Sequence, residues 1–410
     1  MSNVRLATIL KRAVAEIITE RELLELLNSG RILNLKQGFD PSSPDIHLGH
    51  VVGLRKLRQF QELGHKVTLV VGDWTARIGD PSGQSATRPM LSPKEVENNA
   101  HTYMEQFFKV VDKDKTELRW QSEWFSQFTL DEVIRLTSRF TIAQLLARED
   151  FNKRYNSGSP ISLAEMLYPL LQGYDSVAIK ADVEFGGIDQ KFNCLVGREL
   201  QQGMGQSPQQ VFLVPLLIGT DGKLKMSKSL HNHIGIAEPP REIYGKVMSI
   251  PDPLILDYFE LVTDVPDEEI AEFKKQLKTR SVNPMDLKKR LAREIVRQFH
   301  SQQAANDAQQ DFETRRQTRE LHKVGVDIKV RVGIEAIHRR DLPKWLVNNK
   351  FANSVSEARR LLSQGAVQII RPDGTRQVVK DENVVIKPGD RIKVGKLRLA
   401  EIVDADKQEA

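Results

Sequence analysis

The sequence predicts an α/β fold with a parallel sheet, followed by an α-helical domain and then a small α+β domain. Three observations carry this. Between about 31 and 240, short apolar runs alternate with longer stretches of helical period, the pattern of strands joined by crossover helices. From about 241 the strand-like alternation stops, and Leu287, Leu291, Ile295 and Val296 mark one face of a Lys/Arg-rich helix. From 343 the sequence restarts as two helices and several short Val/Ile-rich strands, broken by Pro372-Asp373-Gly374 and Pro388-Gly389-Asp390 turns. The expected division is 1–240, 241–330, a linker at 331–342, and 343–410.

Taken in order, the first 27 residues interrupt their apolar positions with charges and read as an amphipathic helix rather than a secretory signal. Strands are expected at Arg31–Leu35, Val67–Val71, Thr116–Trp120, Ala181–Phe185 and Val211–Val214. A chain of 410 residues is more than one core uses, so several domains are expected. The single cysteine, Cys194, closes no intrachain disulfide and builds no multi-thiolate metal site. No apolar stretch approaches the ~20 residues of a membrane helix, so a cytoplasmic protein with no membrane partner is expected. Net charge is +5, with +7 in residues 343–400, −3 in 401–410 and only +1 before them, so polyanion binding is expected in the C-terminal domain.

Two clusters carry the chemistry. Gly38-Phe39-Asp40-Pro41 leads into His47-Leu48-Gly49-His50 after a strand and at the start of a helix, where free backbone N–H groups favour an anion. His47 and His50 are three apart and project to one side, with Gly49 leaving room between them. The second cluster, Lys225-Met226-Ser227-Lys228-Ser229, puts two lysines on a loop, as mobile charges suited to a phosphate in reaction. Tyr168, Gln172 and Asp175 share one helix face, an arrangement suited to a polar ligand.

The His-x-Gly-His element followed by Lys-Met-Ser-Lys-Ser resembles the signature pair of the class I aminoacyl-tRNA synthetases. Gly72-Asp73-Trp74-Thr75-Ala76-Arg77-Ile78-Gly79-Asp80-Pro81-Ser82-Gly83, Tyr168–Asp175 and Gly186-Gly187-Ile188-Asp189-Gln190 are similar to the bacterial tyrosyl-tRNA synthetases. Residues 343–404, opened by Leu342-Pro343-Lys344-Trp345-Leu346 and centred on Ser356–Val367, resemble an S4 RNA-binding domain.

The resemblance implies a Rossmann-like catalytic domain, a helical anticodon-side domain and an S4-like domain. It implies ligation of L-tyrosine to tRNA(Tyr) with ATP, which is accompanied by magnesium without a tightly protein-held metal, and a homodimer. His47, His50, Lys225 and Lys228 would act on the phosphates as catalytic residues. Asp80, Tyr168 and Gln172 would hold the substrate ammonium, Asp175 its phenol, and Gln190 would lie near its carboxylate. Asp40, Gly49, Gly187 and Asp189 would complete the ATP site, with Asp189 on the ribose, and Arg359 and Arg360 would contact RNA. Asp175 together with Tyr168 and Gln172 argues against tryptophan as the substrate. Two positions depart from the family pattern: Lys36 stands where some members carry a tyrosine, and Gln84 where others carry a lysine. The roles of these two residues, and of the nearby Arg88, are left open.

Overall fold

The computed structural model describes residues 3–42, 45–82, 91–323, 329–332, 342–349, 351–379, 386–395 and 398–404. The chain forms two compact units, 1–309 and 310–410. Gln84, Arg88 and residues 333–341 of the expected linker lie outside the described residues.

The first unit is built on a sheet of β1 (Glu16–Ile18), β2 (Asn34–Phe39), β3 (Lys66–Val71), β4 (Thr116–Trp120), β5 (Val183–Gly187) and β6 (Gln210–Val214). Its order is β1-β6-β5-β2-β3-β4; β2 to β6 run parallel, and only β1 is antiparallel to its neighbour. β3 and β6 are almost wholly buried, as expected of strands covered on both faces, and their Val/Leu-rich runs show it in sequence. β2 is displaced from the expected Arg31–Leu35 run, because its centre holds Lys36 and Gln37, both buried. The N-terminal segment is not one amphipathic helix: Asn3–Ile9 and Glu20–Asn28 are helical, and Glu16–Ile18 is an edge strand against β6.

Because β3 and β4 continue from β2 on one side and β5 and β6 lie on the other, the chain reverses its order between β2 and β5. Ligand crevices of open α/β sheets lie at the carboxyl ends of the strands beside such a reversal. The helix Leu48–Glu62 follows β2, and the helices Leu163–Ile179 and Lys191–Gly203 pack together around β5. After β6 come the helices Pro240–Ser249, Ile255–Val262, Asp267–Thr279 and Pro284–Phe299. The last of these buries Leu287, Leu291, Ile295 and Val296 as one stripe.

In the second unit, β7 (Lys329–Val332), β8 (Val367–Ile370), β9 (Arg376–Val378), β10 (Arg391–Val394) and β11 (Arg398–Asp404) form a sheet of order β7-β11-β10-β8-β9. Pairing is antiparallel except between β7 and β11, so Arg331 and Val332 belong to an edge strand rather than to a linker. Leu346, Phe351, Ala358, Leu362, Ile369 and Ile392 lie in its core.

Candidate active site

A cleft of about 600 Å3 opens at the carboxyl ends of β2, β3, β5 and β6. Asp40, His47, Gly49, His50, Asp80, Tyr168, Gln172, Asp175, Gly187, Asp189, Gln190, Lys225 and Lys228 all line it. Sequence positions far apart are thus brought into one site, each delivered by the segment that follows a strand or by the helix packed against it.

At one end, His47 is the N-cap of the Leu48–Glu62 helix, with extended backbone rather than a place in its first turn. Its Nδ1 accepts from Gly49 N–H at 3.1 Å, while His50 Nδ1 accepts from His47 N–H at 3.1 Å. The rings lie 4.0 Å apart by their centroids. A side chain at Gly49 would come within 2.9 Å of the His47 ring, so the glycine makes room for that histidine. Enclosure lowers His47 well below the usual imidazole range and takes His50 down to about 3, with the Lys228 charge adding to both. Both rings are therefore neutral at pH 7. With Nδ1 accepting, each carries its proton on Nε2 as a hydrogen-bond donor.

The lysine loop faces them. Lys228 Nζ has no hydrogen-bond partner among the described residues and lies 5.7 Å from the Tyr103 ring centroid. Burial lowers its ammonium to about 8. Lys225 is committed differently: its Nζ is 2.6 Å from Asp189 Oδ2. The two are therefore partners in this structure. The loop's stem is tied to the segment that leaves β6, with Met226 N–H donating to Leu217 O at 2.7 Å. Beyond the loop, Leu48 N–H donates to Ile234 O and Ile236 N–H to Ile46 O, which fastens it to the histidine segment.

The other end of the cleft is rich in carboxylates and amides. Asp175, 2% exposed, accepts from Gln121 Nε2 at 2.9 and 3.1 Å and from Trp124 Nε1 at 3.2 Å. Burial raises its carboxyl to about 7, against the opposing influence of Lys36 and those donors. Tyr168 Oη donates to Asp40 Oδ2 and Thr75 Oγ1 to Asp40 Oδ1, both at 2.7 Å. Burial raises Asp40 to about 7 and pushes the Tyr168 phenol well above its usual range. The Tyr168 hydroxyl uses its one hydrogen on Asp40 and keeps its lone pairs for a donor in the cleft. Asp80 accepts from Ser82 N–H at 2.8 Å and from Gln190 Nε2 at 2.7 Å. Gln172 Oε1 accepts from Asn193 Nδ2 at 2.9 Å, and the same Nδ2 donates to Gln190 Oε1 at 3.0 Å.

Several of these groups were not found by sequence reasoning. Gln121 and Trp124 fix Asp175, and Arg148, 5% exposed, joins Ser82, Asn193 and Asp80 at 2.5, 3.0 and 3.5 Å. Gln121 and Trp124 follow the carboxyl end of β4, which was the available signal; Arg148 had none. Lys36, left open above, is fully buried beneath the cleft and paired with Glu184. Arg359 and Arg360 are not part of this site: they are exposed on the Val355–Ser363 helix of the second unit, whose Ala358 and Leu362 are buried.

Comparison with known proteins decides the family. The profile described as tRNA synthetases class I (W and Y) matches residues 28–317. The chain belongs to this family. Among the relatives of this class I synthetase, the tyrosine–tRNA ligase of Dehalococcoides mccartyi (strain CBDB1) is 58% identical over 395 residues, 96% of this chain and 98% of that protein. That of Thermotoga maritima is 49% identical, covering 96% of each. A C-terminally truncated mitochondrial tyrosyl-tRNA synthetase from Aspergillus nidulans shares the fold with a TM-score of 0.62 at 21% identity, over 76% of this chain and 93% of its own. The Archaeoglobus fulgidus tyrosyl-tRNA synthetase complexed with L-tyrosine does so with a TM-score of 0.60 at 23% identity, over 75% and 99%.

Proposed function

We propose that this cleft is where the chain, as a tyrosine–tRNA ligase, forms tyrosyl-adenylate from L-tyrosine and ATP before transferring tyrosine to tRNA(Tyr). The observation that carries the reading is the polarity of the cleft: acceptors at one end, neutral imidazoles and a lysine unpartnered among the described residues at the other. The first suits an amino acid's ammonium and phenol, the second a polyphosphate.

In the first step the tyrosine carboxylate attacks the α-phosphorus, the bond to the bridging oxygen breaks, and pyrophosphate leaves. The ammonium is held by Asp80, by the Tyr168 oxygen and by Gln172 Oε1, while ionised Asp175 accepts from the phenol. A substrate without that hydroxyl leaves a buried acceptor unpaired, which disfavours phenylalanine. Gln190 is placed beside Asp80 to orient the carboxylate. His47 and His50 donate through Nε2 to phosphate oxygens, and Lys225 and Lys228 add charge as it develops on the leaving group. Asp189 takes the ribose, Gly187 and Gly49 leave room beside it, and the main chain at Asp40 lies along the α-phosphate. In the second step a hydroxyl of the tRNA 3′-terminal adenosine attacks the tyrosyl carbonyl and AMP departs. ATP enters as its magnesium complex, the metal being part of the substrate.

Residues 1–240 are read as the catalytic domain, 241–330 as the anticodon-side helices, and 343–410 as an S4-like RNA-binding domain in which exposed Arg359 and Arg360 meet phosphates. A homodimer in the cytoplasm completes the reading. Exposed Leu130, Ile134, Ile142, Tyr155 and Leu163 on consecutive helices offer apolar surface for a second copy. No helix among the described residues is long and apolar enough to cross a membrane.

The test is ATP–pyrophosphate exchange driven by tyrosine, tryptophan or phenylalanine. Exchange with tyrosine alone is expected; equal exchange with tryptophan, or none with any of the three, would overturn the assignment. Sedimentation checks the dimer.

A further inference from the structure

Lys36 in β2 and Glu184 in β5 stand directly opposite each other in the parallel ladder. Their side chains are 0% and 1% exposed, with Nζ 3.0 Å from Oε1. A buried ion pair is weak grounds for stability, since both charges lose their water and an apolar pair of similar volume serves as well or better. Its presence in the middle of a buried sheet calls for another reason, and its remaining contacts supply one.

Those contacts converge on one turn of the Leu163–Ile179 helix. Lys36 Nζ donates to the main-chain oxygen of Gln172 and to Ser176 Oγ, both at 2.8 Å. Glu184 Oε1 accepts from Gln172 Nε2 and Oε2 from Ser176 Oγ, both at 3.2 Å, and Oε2 also accepts from Gln209. The turn held in this way contains Asp175. It follows Pro169, which has no N–H to bond back along the helix, so the segment carrying Tyr168, Gln172 and Asp175 gains from an external anchor.

The polarity of the anchor matters more than its strength. The two ends of a glutamine amide have nearly the same shape, and only their partners decide which faces where. An ionised carboxylate can only accept, so Glu184 draws the Gln172 NH2 group toward the sheet and leaves Oε1 toward Asn193 and the cleft. A bound ammonium requires that orientation; the opposite one would set N–H against N–H. Lys36 Nζ, Gln172 Nε2, Ser176 Oγ and Gln209 Nε2 all donate to the Glu184 carboxylate, so its two oxygens act here as acceptors only.

We propose that Lys36 and Glu184 are positioning residues that fix the amide of Gln172 with its oxygen toward the cleft, and so set the pocket's selectivity for an amino group on the ligand. This rests on the reading that Gln172 meets the tyrosine ammonium. The consequence is selective: contacts to the phenol ring are made by other groups, so ligands lacking the amine gain nothing from the device. On Asp175 the two charges act in opposite directions, Lys36 favouring its ionised form and Glu184 opposing it, so the pair is also removed as a pair in the test below.

The test measures, by calorimetry, binding of two ligands to the full chain: tyramine, which carries the phenol and the amine, and 3-(4-hydroxyphenyl)propionate, which carries the phenol without the amine. Wild-type protein that binds tyramine no better than the deamino acid would refute the site reading itself. Two variants then address the pair. Glu184→Gln keeps the shape and removes the charge, allowing Gln172 to turn. Lys36→Met/Glu184→Leu removes both charges together and is the variant to use if the single one does not fold. Each is expected to weaken tyramine about tenfold, the loss of one hydrogen bond to a charged group, with the deamino acid changed less than twofold. Equal weakening of both ligands would mark a merely structural pair, and no weakening of either would also overturn the proposal.

Discussion

Trp124→Phe isolates one hydrogen bond in the amino-acid site. The indole N–H reaches Asp175 at 3.2 Å, and phenylalanine keeps an aromatic ring beside Phe125 without that donor. A hydrogen bond to a charged group contributes at least about 1.5 kcal/mol, and about 1.4 kcal/mol corresponds to one pKa unit. The Asp175 carboxyl should therefore move from about 7 to roughly one unit higher. A raised carboxyl is protonated below its pKa, so tyrosine recognition is present at high pH and lost as pH falls. At pH 7 roughly half of the wild-type groups are ionised against about a tenth in the variant, so kcat/KM for tyrosine should fall about fivefold. At pH 9 the two enzymes should agree within about 10%. The assay is tyrosine-dependent pyrophosphate exchange from pH 6 to 9, taken as the ratio of the two enzymes. The ratio cancels Asp40, which also titrates at about 7. A loss of the same size at pH 7 and pH 9, or an equal rise in KM for ATP, would refute the reasoning.

Lys228→Ala should slow tyrosyl-adenylate formation in single turnovers by about 100-fold while leaving tyrosine affinity nearly unchanged, because a charge with no hydrogen-bond partner among the described residues is spent in the transition state. Gly72→Ala would put a Cβ 2.3 Å from both Asp40 Oδ1 and Thr75 Oγ1, forcing their 2.7 Å bond apart. A stability loss of about 1–3 kcal/mol is expected, read from the urea midpoint. Removing residues 343–410 should weaken tRNA charging and reduce its salt dependence, with pyrophosphate exchange much less affected. Equal loss in both assays would make those residues structural.

Strands buried on both faces were legible because they are written in Val, Leu and Phe: β3 and β6 fall within one residue of their expected limits, and the half-buried edge strand β4 coincides with its own. β2 was displaced because a lysine in a strand centre ends an apolar run, and only Glu184, far along the chain, explains how it is buried. β1 has three half-buried residues and exists through its pairing with β6, a long-range cause with no local trace. In the cleft, residues carried by contiguous motifs were visible. Gln121, Arg148 and Asn193 were not, since each sits alone in its segment and acquires meaning from a neighbour in space.

The lysine loop is fastened on both sides: by Met226 N–H to Leu217 O at its stem, and by residues 234–236 to the histidine segment beyond it. Asn232 braces it from within, its Oδ1 accepting from Ser227 N–H at 2.8 Å and its Nδ2 donating to Lys225 O at 3.1 Å, so the segment that carries Lys228 is held on both flanks and across its middle. The far fastening also lies on the main chain of Ile46 and Leu48, on either side of His47. A substitution that loosens Ile234 or Ile236 should therefore disturb the imidazole pair as much as the lysine, and double mutants across these two segments should depart from additivity.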